Sequence, residues 1–319
     1  MSFSTDVKNE LARIQVGDDI ELIAELAGLV RMCGTIVFNS GDIQLHFVTE
    51  NASIARRIFT FLKSYSADVE ASISRNLQLK KRSNYNIMLL DGPAVREVLF
   101  DTDFMTSENV FDRKYEIDDK ILRGNGARRA YIRGSFLGAG SISNPDKAYH
   151  AELVTNGYDH AVNLSDIINS FALNSKIVQR KDNYVVYIKE AEQISDLLAI
   201  MGANKAIFEF ENIRVVKDVR NNINRIVNCE TANINKTINA ALSQLDDIKL
   251  IEDTIGLEQL PENLQEIAVL RKEHSVASLK ELGDMLDPKV SKSGINHRLK
   301  KINKIADKLR GVNDERSNC

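Results

Sequence analysis

The chain has 319 residues, 43% of them hydrophobic and 27% charged, with a formal net charge of −3. These are ordinary values for a globular protein. No apolar run approaches the ~18 residues of a membrane span, and no apolar signal core follows Met1. The three cysteines, Cys33, Cys229 and Cys319, are too few and too scattered for a disulfide framework or a four-ligand zinc knuckle. The expectation is a cytoplasmic protein of two or three domains with no membrane segment and no cofactor.

Charge is unevenly placed. Between Lys120 and Pro145 stand five basic residues, Lys120, Arg123, Arg128, Arg129 and Arg133, and no acid. Between Ser291 and Arg310 seven basic residues face one acid, Asp307. Local fields of this kind matter more to a polyanion than the total charge.

In chain order, residues 1–20 are expected to form an N-terminal helix. Residues 21–203 then read as two copies of one α+β half, about 21–105 and 125–203. Glu21–Ile36 (ELIAELAGLVRMCGTI) aligns with Arg128–Ser143 (RRAYIRGSFLGAGSIS), placing Gly28 on Gly134 and Gly34 on Gly140. After each motif the pattern predicts a strand pair (Thr35–Phe38 and Ile43–Val48 about a Ser40-Gly41-Asp42 turn; Ser141 and Ala148–Val154). An amphipathic helix follows (Asn51–Tyr65; Tyr158–Phe171). Each copy continues with a hairpin whose second strand opens Asn-Tyr (Asn84-Tyr85; Asn183-Tyr184) and ends in a short helix (Val95–Phe100; Ile194–Met201).

Residues 204–258 read as a mainly helical linker. Its basic set, Arg214, Lys217, Arg220 and Arg225, fits a solvated face and a phosphate-contacting face equally well. Beyond Pro261, residues 259–312 carry three helical patterns. Ser278-Leu279-Lys280-Glu281 is a capping box, Asp287-Pro288 stops the second helix, and Ser291 can cap the third. Ile295, Leu299, Ile302, Ala306 and Leu309 fall on one side of that third helix. Two short helices about a tight turn, the second one basic, make a helix-turn-helix over about 277–310. Ser291, Lys292, Ser293, Asn296, His297 and Arg298 are the candidate contacts to bases or adjacent phosphates. Lys300, Lys301 and Lys304 suit the backbone.

The repeated motifs, clearest in Leu26-Ala27-Gly28-Leu29-Val30, resemble the LAGLIDADG signature of homing endonucleases. The resemblance implies two glycine-packed helices side by side above a saddle of antiparallel strands. In that family an acid before each motif's last glycine holds the divalent ions. Here those positions are Cys33 and Ala139, which cannot hold a hard cation, so no metal site and no nuclease activity are expected. Arg31 is expected near the first site. Arg75, Lys80, Lys81, Arg82, Lys176, Arg180 and Lys181 on the hairpins, with Arg220 and Arg225, are candidate secondary DNA contacts, although charge at hairpin tips is also ordinary surface decoration.

Longer strings are more specific. Met1–Leu11 (MSFSTDVKNEL), Arg220–Asn233 (RNNINRIVNCETAN), Leu260-Pro261-Glu262 and Ser291–Leu299 (SKSGINHRL) resemble the WhiA family of bacterial sporulation and cell-division regulators across nearly the whole chain. The implied fold is α+β: a duplicated LAGLIDADG homing-endonuclease-like domain followed by an all-α helix-turn-helix domain. The implied function is non-enzymatic, sequence-selective binding of double-stranded DNA in transcriptional regulation at the nucleoid, with a WhiB-type iron–sulfur regulator or division proteins as partners. A metal-dependent endonuclease and a protein-interaction scaffold of division or segregation machinery are the alternative classes.

Overall fold

The computed structural model describes residues 2–39, 42–75, 83–105 and 114–317. Two compact units divide the chain, Met1–Asp218 and Val219–Cys319.

The first unit opens with α1 (Phe3–Leu11), shorter than the 1–20 helix expected from sequence. The chain leaves the helix before Gly17-Asp18, and the Asp18 carboxylate then accepts from the Glu21 N–H to start α2 (Asp19–Cys33). Next come β1 (Gly34–Asn39), β2 (Asp42–Thr49), α3 (Ala52–Lys63), β3 (Val69–Arg75), β4 (Ser83–Leu89) and α4 (Gly92–Asp101). The second half repeats the order with α5 (Gly124–Ala139), β5 (Gly140–Ile142), β6 (Ala151–Thr155), α6 (Tyr158–Asn169), β7 (Lys176–Arg180), β8 (Asn183–Ile188) and α7 (Ala191–Met201). The sheets have matching strand orders, β1-β2-β4-β3 and β5-β6-β8-β7, with antiparallel neighbours throughout. The duplication read from the sequence is therefore also a duplication of topology. Ser40 and Gly41 of the expected turn lie outside the described residues.

The two motif helices, α2 and α5, form the spine of the unit. A Cβ on Gly134 would stand 2.1 Å from the Glu25 carbonyl oxygen, and one on Gly28 would stand 2.6 Å from the Tyr131 carbonyl oxygen. Only glycine permits backbones this close. Beside that contact Glu25 is fully buried. It takes a bidentate pair from Arg57 of α3 and a 2.8 Å bond from Arg133 Nε of α5. Arg57 also donates to the Ile14 carbonyl at 2.6 Å. His160 is fully buried too, bonded through Nδ1 to Thr155 (2.7 Å) and through Nε2 to Tyr131 (3.1 Å). Burial, with a smaller push from the Arg31 charge, drops its pKa to about 4.

Arg31 is not free at the end of α2, where the sequence pattern puts it. It donates to the carbonyls of Thr102 (2.7 Å), Asp103 (2.9 Å), Tyr115 (3.0 Å) and Glu116 (3.1 Å), binding the connection between the halves. The reason is geometric, because Arg31 lies on the buried side of the helix, where its five donors must find acceptors.

Helix α8 (Asn204–Thr254) belongs to the first unit up to Asp218 and to the second from Val219. Glu10 accepts from the Lys205 and Ala206 N–H groups at its start (2.7 and 3.0 Å), and Phe210 buries against Phe3. In the second unit, α9 (Glu262–Glu273), α10 (Leu279–Asp284) and α11 (Lys292–Ser317) close a core with the end of α8. That core holds Ile248, Ile251, Leu264, Ile267, Leu282, Ile295, Leu299 and Ile302.

Candidate nucleic-acid interface

The start of α11 is set by a short chain of local interactions. Ser278 and Glu281 form the expected capping box at the start of α10. A Cβ on Gly283 would stand 2.1 Å from the Val290 carbonyl oxygen, so glycine is needed for the turn to fold back. The Val290 N–H donates to the Gly283 carbonyl at 3.0 Å. Seven residues, 285–291, separate α10 from α11, a longer turn than the tight one expected. Ser291 Oγ then accepts from the Gly294 N–H at 3.2 Å, capping α11 as the sequence predicts.

The buried stripe of Ile295, Leu299, Ile302 and Ala306 fixes the rotation of α11. Ser291, Lys292, Ser293, Asn296, His297, Lys300, Lys301 and Lys304 consequently all reach solvent. Their hydroxyl, amide, imidazole and ammonium groups supply the donors and acceptors that base edges and phosphates require.

Arg298 differs from its neighbours. It is only partly exposed, donates to the Asn263 carbonyl at 3.3 Å and lies 3.6 Å from Glu266 Oε2. It ties α11 to α9. Farther along, Asp247 of α8, almost fully buried, accepts from Asn303 (2.9 Å) and pairs with Arg310. Arg271, equally buried, donates to the Ala277 carbonyl at 2.6 Å and holds the loop into α10. Nothing in the sequence marks Asp247 or Arg271 as interior, since charged residues read as surface.

The secondary set is dispersed. On the β1–β4 sheet, Ile43, Leu45, Phe47, Ile87 and Leu89 turn toward the helices. Cross-strand register puts Thr35, Val37, Gln44, His46, Val48, Asn84, Asn86, Met88, Glu70, Ser72 and Ser74 on the other face. Among its described residues that face carries no lysine or arginine. Arg75 pairs with Ser83 at the far end of β3, and Lys80, Lys81 and Arg82 lie outside the described residues. On the second sheet Lys176 and Arg180 are present, but Arg180 is 3.4 Å from Glu152 Oε2. Lys181 sits in the hairpin turn with φ of 56°. Arg220 and Arg225 are exposed on α8.

The motif helices end at Cys33 and Ala139. The Cys33 thiol donates to the Leu29 carbonyl at 3.3 Å, and burial pushes its pKa up to about 12, Lys8 opposing the shift. The Lys8 ammonium lies 5.9 Å from the Phe136 ring centre, and burial lowers its pKa. The environment at Cys33 is that of an inert thiol.

Comparison with known proteins accords with this architecture. Three family models match in succession: the WhiA N-terminal LAGLIDADG-like domain over residues 20–105, the WhiA LAGLIDADG-like domain over 128–220 and the WhiA C-terminal HTH domain over 223–306. A probable cell division protein WhiA of Thermoanaerobacter pseudethanolicus is 51% identical over 313 residues, covering 97% of this chain and 98% of the relative. One from Clostridium botulinum is 47% identical over 315 residues, covering 98% and 100%. The crystal structure of full-length DUF199/WhiA from Thermatoga maritima superposes with a TM-score of 0.56 at 25% identity, covering 97% of this chain and 99% of that one. With nearly its whole length matched by these models and relatives, the chain belongs to the WhiA family.

Proposed function

We propose that this protein is a sequence-selective DNA-binding regulator of cell division and chromosome segregation, and of sporulation where the host forms spores. It would act at the nucleoid through α11. The single observation that carries this reading is the solvent-facing set on α11, from Ser291 to Lys304, held at fixed rotation by a buried stripe. Asn296, exposed on α11, would bond an adenine edge bidentately. His297, Lys292, Ser291 and Ser293 supply further base or phosphate contacts, and Lys300, Lys301 and Lys304 neutralise backbone. Arg298 enters as a brace for the helix rather than as a reader.

The first unit is non-catalytic in this reading. Cys33, as a neutral thiol, and Ala139 offer no side-chain oxygen ligand at the ends of α2 and α5. A second role suits its sheets. The cation-free face of the β1–β4 sheet, over its described residues, favours docking a protein, such as a division protein or a WhiB-type iron–sulfur regulator, over docking a polyanion.

The test is genome-wide crosslinking and sequencing of bound DNA with the full-length chain and its Asn296→Ala variant. The wild type should enrich a common motif, and the variant should lose that enrichment while still coating DNA at low salt. Equal enrichment by both would place the reader elsewhere. Incubation with plasmid and magnesium or manganese should leave the plasmid intact, and nicking would overturn the non-catalytic reading.

A further inference from the structure

The middle of α8 presents a surface that its own fold leaves unused. Every residue from Val219 to Ala240 is exposed. At 100° per residue, Asn221, Asn224, Arg225, Asn228, Asn235, Lys236 and Asn239 share an arc of about 120°. Asn221, Asn224, Arg225 and Asn228 fall at i, i+3, i+4 and i+7. Val219, Ile223, Ile226, Val227, Ile234 and Ile238, with Glu230, the one acid between Val219 and Leu242, lie on the opposite side. The arc is therefore free of acids over this stretch, Asp218 and Asp246 standing only at its ends.

Two features set this arc apart from ordinary solvated helix. Asparagine is among the poorer helix formers, and an exposed helix with no partner is better served by Ala, Glu, Gln or Lys. Here five asparagines crowd one face, and none of their side chains, nor Arg225, nor Lys236, has a hydrogen-bond or ion-pair partner among the described residues. The set combines amides that can bond adenine in the major groove with cations about 16 Å apart along the axis, suited to separate phosphates.

We propose that this Asn–Arg–Lys arc of α8 is a second DNA-contacting element, on the side of the helix opposite Ile248 and Ile251, which pack into the core with α9–α11. The proposal rests on the DNA-binding reading of α11 and adds amide readout and phosphate contacts from Asn221 to Asn239. The apolar side takes no part in it.

The experiment uses the full-length chain and a duplex recovered by crosslinking to the wild type, with a scrambled duplex as control. Asn221→Ala/Asn224→Ala/Asn228→Ala should weaken specific binding about tenfold or more while helical circular dichroism holds or rises, because alanine favours the helix. Arg225→Ala/Lys236→Ala should weaken both duplexes and lower the slope of log affinity against log salt by about two. Both variants binding like wild type, while Asn296→Ala still loses specificity, would overturn the inference and leave the α11 reading standing. A wild-type chain with no preference between the duplexes would remove the α11 reading itself. Unchanged DNA binding with a shift in oligomeric mass or loss of a bound protein would assign the arc to a protein partner and equally overturn the proposal.

Discussion

The outer faces of the two sheets and the outer face of α11 are all solvated sides of regular elements, yet they differ in the charge they carry. The β1–β4 sheet shows solvent amides, hydroxyls, Val48 and Met88, with no cation among its described residues. On the β5–β8 sheet Arg180 is matched by Glu152, while Lys176 on the same face is exposed. α11 shows Lys292, Lys300, Lys301 and Lys304 with no acid beside them before Asp307. The first unit, then, keeps a nuclease-like interior, with glycine-packed helices and a duplicated topology, but lacks on the described part of its β1–β4 face the charge that a polyanion would need. In the second unit the interior is small, and α11 carries its cations from Lys292 to Lys304 without an acid among them. Shared architecture accounts for the spine of the first unit, whereas the two units differ in the charge that their described surfaces carry.

That contrast can be broken most forcefully at Glu25. Glu25→Ala leaves Arg57 and Arg133 buried without their anion, which costs about 3–5 kcal/mol. Urea denaturation should show the loss in the first unit, while specific DNA affinity at a temperature where the chain stays folded should match wild type. An equal fall in affinity under those conditions would mean that the first unit takes part in reading. His160 gives the next effect. Its folded pKa of about 4 lies below the ordinary value of 6.5, so the unfolded chain binds the proton more readily between those two pH values. The stability it contributes is complete above pH 6.5, falls as pH drops toward 4 and amounts to at most about 3 kcal/mol. The urea midpoint of wild type should decline between pH 7 and 4.5 more steeply than that of His160→Gln, and parallel declines would refute the assignment.

Much of this is legible in the residues because it rests on local rules. The Gly28 and Gly134 alignment predicts the helix pair, and the Ser278–Glu281 box and the Ile295–Ala306 stripe predict the start of α10 and the buried side of α11. What cannot be read is long-range pairing of charge. Arg31 has the look of a site residue and is a clamp on carbonyls of the connection between the halves, Arg298 reaches across to Asn263 and Glu266 of α9, and Asp247 and Arg271 have the look of surface and are interior. Sequence spacing shows which side of an element a charge occupies, but its partner comes from elements tens of residues away. The length of α1 escapes the sequence for the same reason, since the Ala12 and Ile14 carbonyls just beyond its end are taken by Arg57 of α3.

Within the second unit the contrast sharpens between two adjacent regions of α11. Asn296→Ala should cost about 1–3 kcal/mol of specific affinity and little affinity for random duplex. Arg298→Ala should instead lower the thermal stability of the second unit, with its effect on binding following from the loosened helix. Restoring stability with a stabilising osmolyte should rescue Arg298→Ala binding and leave Asn296→Ala unrescued. Rescue of both would make Asn296 structural, and rescue of neither would return Arg298 to the reading set.

The smallest expected effect is the most telling about the first unit. Lys176, Arg180 and Lys181 stand on the second hairpin, where a duplex lying along the sheets would meet them. If DNA lay there, each phosphate deprived of its cation would reduce the salt slope by close to one, and a triple alanine variant would reduce it by nearly three. The pairing of Arg180 with Glu152 and the absence of cations on the described part of the neighbouring sheet's face argue that no such contacts form. The triple variant should therefore bind with the wild-type slope and affinity, whereas Lys300→Ala/Lys301→Ala/Lys304→Ala should flatten the slope by about two to three. A flattened slope from the hairpin variant would place the duplex across both units and make the first a working part of the DNA site.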